Sequence, residues 1–216
     1  MSLTIQSAER SNAGPIGTEP GKTRSTRRFM AGVSGLAVAI ALVGLGSVLR
    51  SNASFAEQNV ARQMAEQRIT FKPAEPLTPD ERDTPCLVRY AGRALTTGAQ
   101  AECYANHFIG NHLKKVADGR TYSEMRAVQT ELRERLTLAQ AANYPVVEDL
   151  QRELAEVNGK RQTLFEGETV RGLLLTSYGF GTLGTKADQG ATGAFAASAV
   201  VLLLSMVVLV SARIRS

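Results

Sequence analysis

Apolar and polar positions divide the chain into two long apolar segments, one near each end, and a mixed region between them. The first segment, residues 29–49, contains 21 residues without a charge or a proline. As a helix it would be about 31 Å long, which matches a hydrocarbon core of about 30 Å. The second segment, residues 190–212, is also uncharged. The pattern therefore predicts two transmembrane helices, at residues 29–50 and 190–212.

Basic residues mark the same side of both predicted spans. Four lie within the eight residues before the first span and two follow the second: Lys22, Arg24, Arg27, Arg28, Arg213 and Arg215. Lys and Arg are retained on the cytoplasmic side of a membrane. We therefore predict a plasma-membrane protein with both ends in the cytoplasm and residues 51–189 on the other side. Residues 1–28 lack apolar periodicity and are predicted to be a disordered tail, while residues 213–216 form the other cytoplasmic end.

The region after the first span begins as a helix and then meets a proline-rich stretch. Apolar and small residues keep helical spacing from Ala56 to Ile69, so the first membrane helix is predicted to continue to about Ile69. Residues 71–96 contain four of the seven prolines. They predict an extended linker with at most one short turn after Thr78, where Pro79 suits a first helical position.

Capping residues mark four further helices. Their predicted starts are Thr97 with Gln100, Thr121 with Glu124, Pro145, and Thr163 with Glu166. Asp118-Gly119 is predicted to end the first of these helices, and Asn158-Gly159 the third. Each helix has a narrow apolar stripe and needs a neighbour to bury it. The predicted fold is all-α, with two transmembrane helices and a helical-bundle extracytoplasmic domain.

The charge distribution argues against nucleic acid as a partner. The chain has a net charge of +5 and an isoelectric point near 9.5. However, residues 51–190 hold 17 basic and 18 acidic residues, so the excess lies in the tails beside the predicted spans. No basic stripe with interleaved aromatic residues occurs. The predicted partner is instead the lipid bilayer, which the two apolar segments would cross.

The two cysteines, Cys86 and Cys103, lie in the region predicted to be outside the cytoplasm. In an oxidising compartment they would form a disulfide that ties the proline-rich segment to the helix starting at Thr97. Such a bond would stabilise the fold by about 3 kcal/mol. Two unpaired, partly buried thiols are the alternative.

Cys103, His107 and His112 are the residues that suggest a metal or a nucleophile. On a regular helix Cys103 and His107 share a face, but His112 lies about 180° from Cys103. His112 falls on the apolar stripe, where a buried histidine is expected. With two histidines and no short cysteine pair, we predict no metal site, no cofactor and no catalytic residue. A Cys103–His107 pair is disfavoured because no third group orients it.

Three short motifs suggest alternatives that their context disfavours. Cleavage of a signal sequence after Ala56 is disfavoured by the long basic region and by Arg50. Residues 14–23 resemble a phosphate-binding loop but lack its first glycine and a preceding strand. Residues 179–184 match the dinucleotide-binding motif G-x-G-x-x-G. That motif needs an acidic residue about 20 positions farther along the chain, and this position falls inside the second predicted span. We predict that residues 171–184 lie near the membrane surface, with glycines for close helix contact or a bend.

Small residues repeat every four positions in both predicted spans. The candidate packing residues are Ala31, Gly35 and Ala39 in the first span and Gly190, Ala194 and Ser198 in the second. Such spacing lets helix backbones approach closely, although Gly and Ala are common in membrane helices anyway. In an antiparallel pair the two sets lie at opposite ends and are predicted not to face each other. We therefore predict that at least one set serves another membrane protein or self-association.

Two stretches carry a resemblance to known proteins. AECYANHFIGNHLKKVADGRTYSEM and TLFEGETVRGLLLTSYGF resemble a group of actinobacterial two-pass membrane proteins of unassigned function. The resemblance covers residues 70–210 and implies the same two-pass topology. Similar sequences are sometimes labelled ring-opening dioxygenases, which implies a soluble enzyme with an iron site of histidines and a carboxylate. The resemblance transfers no active-site residue to this chain.

Three classes of function remain open. We favour a non-catalytic membrane accessory or scaffold protein whose helical ectodomain docks on a larger envelope complex, with a respiratory complex as one candidate. A membrane sensor is the second class, and it would have to act through a partner because only a short tail is cytoplasmic. A metal-dependent enzyme is disfavoured because no acid, base and nucleophile converge in the sequence.

Overall fold

The computed structural model describes the backbone of residues 20–214 and the side chains from residue 26 onward. Its helices are α1 (Pro20–Gln67), α2 (Pro79–Arg82), α3 (Pro85–Tyr90), α4 (Gly98–Cys103), α5 (Gly110–Val116), α6 (Glu124–Ala141) and α7 (Val147–Ile214). A π-helix, Tyr104–Ile109, joins α4 to α5. Within residues 20–214 there is no β-strand, and one antiparallel bridge pairs Thr70 with Ala94. The predicted all-α class is confirmed.

Helices α1 and α7 each contain a stretch that is long and apolar enough to cross a membrane. α1 ends at Gln67, close to the predicted Ile69. It begins at Pro20, so residues 20–28 are helical and not a disordered tail. The physical reason is helix propagation, because each added residue gains a hydrogen bond once the apolar segment is helical. Residues 1–19 and 215–216 of the predicted tails lie outside the described residues.

The chain divides into two compact units. The helix-pair unit contains the described part of α1 up to Leu45 and the described part of α7 from Gly193 onward. The central unit, Gly46–Thr192, contains the remainder of both long helices together with the shorter helices.

The predicted break in the last helices is wrong. Asn158-Gly159 does not end a helix and Thr163 does not begin one, because α7 runs unbroken through both positions. The Thr163 hydroxyl donates to the Gly159 carbonyl at 3.1 Å within the helix and so does not act as a cap. A glycine inside a helix costs only about 1 kcal/mol relative to alanine. Burial of Val157 and Leu164 against α5 and α6 offsets that cost.

The proline-rich segment is folded and not an extended linker, although the short turn predicted after Thr78 is present as α2. Pro79 and Pro85 occupy the first turns of α2 and α3, where their missing N–H groups are not needed. The backbone N–H of Thr78 donates to the Glu81 carboxylate at 2.8 Å and holds the pKa of that carboxyl below its usual range. Leu87 of α3 is fully buried. Apolar contacts therefore organise a segment that its prolines alone would leave extended.

Two apolar clusters form the core of the central unit. One joins the end of α1 to α3, α4, the π-helix and α7, and its buried members are Val60, Met64, Phe71, Leu87, Leu95, Ala101, Cys103, Ala105 and Leu174. The other joins α5, α6 and α7 through Leu113, Ala117, Met125, Leu132, Ala139, Leu150, Val157 and Leu164. The predicted capping boxes at Thr97 and Thr121 are both present and start α4 and the turn into α6.

Candidate functional site

In the helix-pair unit, one residue of the first predicted small-residue set contacts one residue of the second. The Ser198 hydroxyl donates to the Ala39 carbonyl at 2.9 Å, and both residues are buried. A Cβ placed on Gly35 would collide with the Ser205 hydroxyl. The prediction that the two sets cannot face each other is therefore wrong at Ala39 and Ser198. The two sets overlap there because each extends to the middle of its span.

The remaining packing candidates are divided between buried and exposed positions. Ala194 is buried, whereas Ala31 and Gly190 are exposed. Within the helix-pair unit, seven-residue steps separate Gly32 from Ala39 in α1, and Ser198, Ser205 and Ala212 in α7, all of which are buried; a search for four-residue steps misses this spacing. A repeat of seven is the period of left-handed helix pairs. This signal was present in the sequence.

In the central unit, the G-x-G-x-x-G motif is a helix-packing motif. A Cβ on Gly181 would lie 3.2 Å from the Gly98 Cα, so these two backbones are in direct contact. A Cβ on Gly184 would lie 3.2 Å from the Ala56 Cβ of α1. The motif lies within the unbroken helix α7 and has no strand before it. Gly181 and Gly184 therefore serve close helix contact, one of the two roles predicted for the glycines, whereas a Cβ on Gly179 would meet nothing within 4 Å.

A cavity of about 380 Å³ lies beside this glycine contact, between α1, the start of α4 and α7. Val60, Ala61, Ala99 and the glycines give it a mostly apolar lining, which also includes four threonines. Its ionisable groups are Glu57 and Tyr178. One carboxylate and one phenol without a neighbouring base or nucleophile do not form an acid-base pair for catalysis.

Cys86 of α3 and Cys103 of α4 form a disulfide, with their Cα atoms 6.1 Å apart. The bond joins the folded proline-rich segment to the core, where Cys103 is 1% exposed. Beside it, the rings of Phe71 and Tyr104 pack edge to face with centroids 5.2 Å apart, and burial raises the pKa of Tyr104. The Cys103 sulfur is therefore not available as a nucleophile or a metal ligand.

The π-helix changes which side chains face the core. The Gly110 N–H donates to the Ala105 carbonyl, five residues earlier, so this turn holds one extra residue. The buried positions consequently shift along the helix, to Ala101, Ala105, Gly110, Leu113 and Ala117. His112, predicted to be buried on the apolar stripe, is exposed for this reason. A regular helical period cannot reveal the extra residue.

The two histidines border one small cavity beside α2. The cavity measures about 220 Å³, and its charged or titratable lining residues are Lys72, Asp80, Glu81, His107, His112 and Lys115. Lys72 pairs with Glu81 at 3.0 Å and Lys115 with Asp80 at 2.9 Å. Both carboxylates are thus engaged by ammonium groups. In the described part of the chain, no group of three or more His, Cys, Asp and Glu side chains could hold a metal ion.

The central-unit part of α7 carries an uncovered face that we call the outer stripe. It consists of Thr169, Leu173, Thr176, Phe180 and Leu183, all exposed. Steps of four and three residues place them on one side of the helix. The Thr169 and Thr176 hydroxyls donate to carbonyls four residues earlier, at 2.7 and 3.0 Å, which leaves the stripe without a free donor. The outer stripe is therefore an uncharged helix face that no described residue covers.

Comparison of the chain with protein-family models, with curated proteins and with solved structures finds no match in any of the three.

Proposed function

We propose that the protein is a non-catalytic integral membrane accessory or scaffold protein whose central unit lies outside the cytoplasm and docks on a larger cell-envelope complex. The outer stripe of α7 carries this proposal. Leu173 is 65% exposed, Phe180 55% and Leu183 66%, on one face and without a charge among them. An exposed apolar face of this kind is characteristic of an interaction surface.

The position of the outer stripe favours another membrane protein as the partner. Leu183 precedes the predicted span at Gly190 by seven residues, which is about 10 Å of helix. A helix that leaves the bilayer beside α7 would reach the stripe directly. The positions flanking the stripe include Gly172 and Gly179, where an added Cβ would meet nothing within 4 Å. An apolar partner helix could therefore approach the α7 backbone closely.

Charges at the ends of the predicted spans support the proposed topology. Arg50 follows the first span on the side opposite the basic tails, where it weakens the positive-inside bias. It forms an ion pair with Asp188. On the side proposed to be outside, Asp188 thus neutralises the charge of Arg50. Before the first span, by contrast, basic residues outnumber acidic residues.

Reporter fusions would test this topology. Alkaline phosphatase, which is active only outside the cytoplasm, is expected to be inactive when fused after Ser216. It is expected to be active when inserted at Asn143, in the exposed turn between α6 and α7. A cytoplasm-active reporter should give the opposite pattern at both sites. Phosphatase activity after Ser216 would overturn the two-pass topology.

Leu173→Glu would test docking at the outer stripe. Burial of a leucine is worth about 1.5–3 kcal/mol, and a buried unpaired carboxylate adds a penalty, so we expect partner recovery to fall by on the order of tenfold or more. The measurement is quantitative mass spectrometry of proteins that co-purify with the full chain in a mild detergent. Leu138→Glu is the matched control, because Leu138 is 70% exposed on α6, outside the stripe.

Three outcomes would contradict docking on a complex. Wild-type protein that purifies alone would do so, as would Leu173→Glu protein that retains its partners. If the only protein that co-purifies is a second copy of the chain, the outer stripe would serve self-association and not docking on a complex. A kinase or receptor as the stoichiometric partner would instead support the sensor alternative.

A further inference from the structure

A polar pocket lies between α6 and α7 of the central unit, lined on α7 by residues 158–165. Its volume is about 440 Å³. The residues that line this arginine pocket are Tyr122, Gln129, Arg133, Asn158, Arg161, Gln162 and Phe165. They comprise two guanidinium groups, three amides and two aromatic rings, and no carboxylate. The lining therefore carries a net positive charge.

Neutral groups hold the guanidinium of Arg161 in place. Gln129 is 9% exposed, and its amide oxygen accepts a hydrogen bond from Arg161 Nη1. The same amide donates through Nε2 to Asn158. The Arg161 Cζ lies 4.6 Å from the centroid of the Tyr122 ring, whose own centroid is 5.9 Å from that of Phe165. The guanidinium is thus oriented before any ligand arrives.

Arg161 forms no ion pair with a carboxylate of the described chain. No described carboxylate lies within 4.0 Å of Arg161 or Arg133, and the Arg161 Nε is buried without an acceptor. Glu166, one turn farther along α7, accepts a hydrogen bond from Gln162 at 2.6 Å. Burying part of a charge is unfavourable unless an opposite charge is nearby.

Arg171, on the same helix, differs from Arg161 because its guanidinium has a carboxylate partner within the chain. Its Nε is also buried without an acceptor. However, Nη1 pairs with Glu168 at 3.0 Å and Nη2 donates to Asn106 at 3.1 Å. A carboxylate is therefore supplied to Arg171 from within the chain, whereas Arg161 receives only a neutral amide and an aromatic ring.

We propose that the arginine pocket binds a soluble oxyanion, a carboxylate or a phosphate, carried beside a planar apolar group. Arg161 and Arg133 would bind the anion, since guanidinium groups match the geometry of both oxyanions. The rings of Tyr122 and Phe165 would pack against the apolar group. Arg161 precedes the predicted span by 29 residues, about 43 Å along the helix, which is too far for a headgroup of the same membrane. This inference does not depend on the proposed docking function.

Calorimetric titration of the full chain in detergent micelles would test the proposal. The probes are phenyl phosphate and benzoate, with benzyl alcohol as the neutral control. We expect saturable binding of at least one anion, weakening as salt is added, and no binding of benzyl alcohol. Tighter binding of phenyl phosphate would assign a phosphorylated ligand, and tighter binding of benzoate a carboxylate ligand.

Three variants make this test specific. Arg161→Gln is expected to weaken binding by about tenfold, the size of one charge-assisted interaction. Arg133→Gln should weaken anion binding by about threefold, and because Arg133 is exposed, the substitution should not affect folding. Arg171→Gln is the matched control and should leave binding unchanged. Absence of anion binding to the wild type at about 10 mM would overturn the proposal. Equal binding by wild type and both pocket variants would also overturn it.

Discussion

Replacing Gly181 with valine is expected to lower the stability of the protein more than the same change at any open glycine of α7. A Cβ at Gly181 would lie 3.2 Å from the Gly98 Cα and 3.5 Å from its nitrogen. These are backbone atoms, so they cannot rotate away as a flexible side chain would. Overpacking of this kind typically costs 1–3 kcal/mol, to which the valine adds two further methyl groups. We expect a loss of about 3 kcal/mol.

Gly159→Val is the control for the Gly181 variant. Gly159 lies in the same helix, and a Cβ there would meet nothing within 4 Å. The intrinsic helix propensity changes equally at both sites, so the difference between the variants reports the contact with Gly98. The measurement is the midpoint of thermal unfolding in detergent, followed by circular dichroism. Equal unfolding midpoints for the two variants would contradict the prediction, because they would show that a side chain at position 181 fits beside Gly98 without strain.

Removal of the disulfide has the second large expected effect. Cys86→Ala combined with Cys103→Ala should lower the free energy of unfolding by about 3 kcal/mol, because the open chain gains entropy in the unfolded state. The loss should be concentrated in the central unit, where the bond joins α3 to α4. Thermal unfolding of the double variant beside the wild type would measure it.

Reductant provides the internal control for the disulfide. It should destabilise the wild type by about the same amount and leave the double variant unchanged. Intact mass after alkylation should show neither thiol modified in the native protein until reductant is added. Modification of both thiols without reductant would rule out the bond. Isolation of the oxidised protein from cells would support the proposed position outside the cytoplasm, since disulfides persist in oxidising compartments.

The elements that sequence analysis located correctly have local physical causes. The apolar stretches of α1 and α7 follow from uninterrupted runs of uncharged residues. The start of α4 and the turn into α6 follow from capping boxes, in which Thr97 and Thr121 satisfy backbone N–H groups within four residues of themselves. Neither the apolar stretches nor the capping boxes need information from a distant part of the chain. The disulfide was one of two outcomes that the sequence left open for Cys86 and Cys103, and the structure contains it.

The candidate surfaces were harder to predict because they depend on which faces remain uncovered. Leu173 and Phe180 lie in a sequence that is apolar on several sides, and only the packing of Leu174 and Gly181 inward shows which side points outward. Arg161 is one of 25 basic residues. Only the folded structure shows that Arg161 donates a hydrogen bond to Gln129, 32 positions earlier, and that no described carboxylate pairs with Arg161.

The sequence by itself determined an all-helical protein with two apolar helices, capped helices between them and one cysteine pair. The tertiary structure alone decided that α7 is continuous through Gly159, that the proline-rich segment folds and that the π-helix turns His112 outward. It also decided that Ala39 meets Ser198. Local rules count hydrogen bonds and periodicity within a few residues, whereas each of these outcomes was settled by the burial of side chains that are distant in the chain.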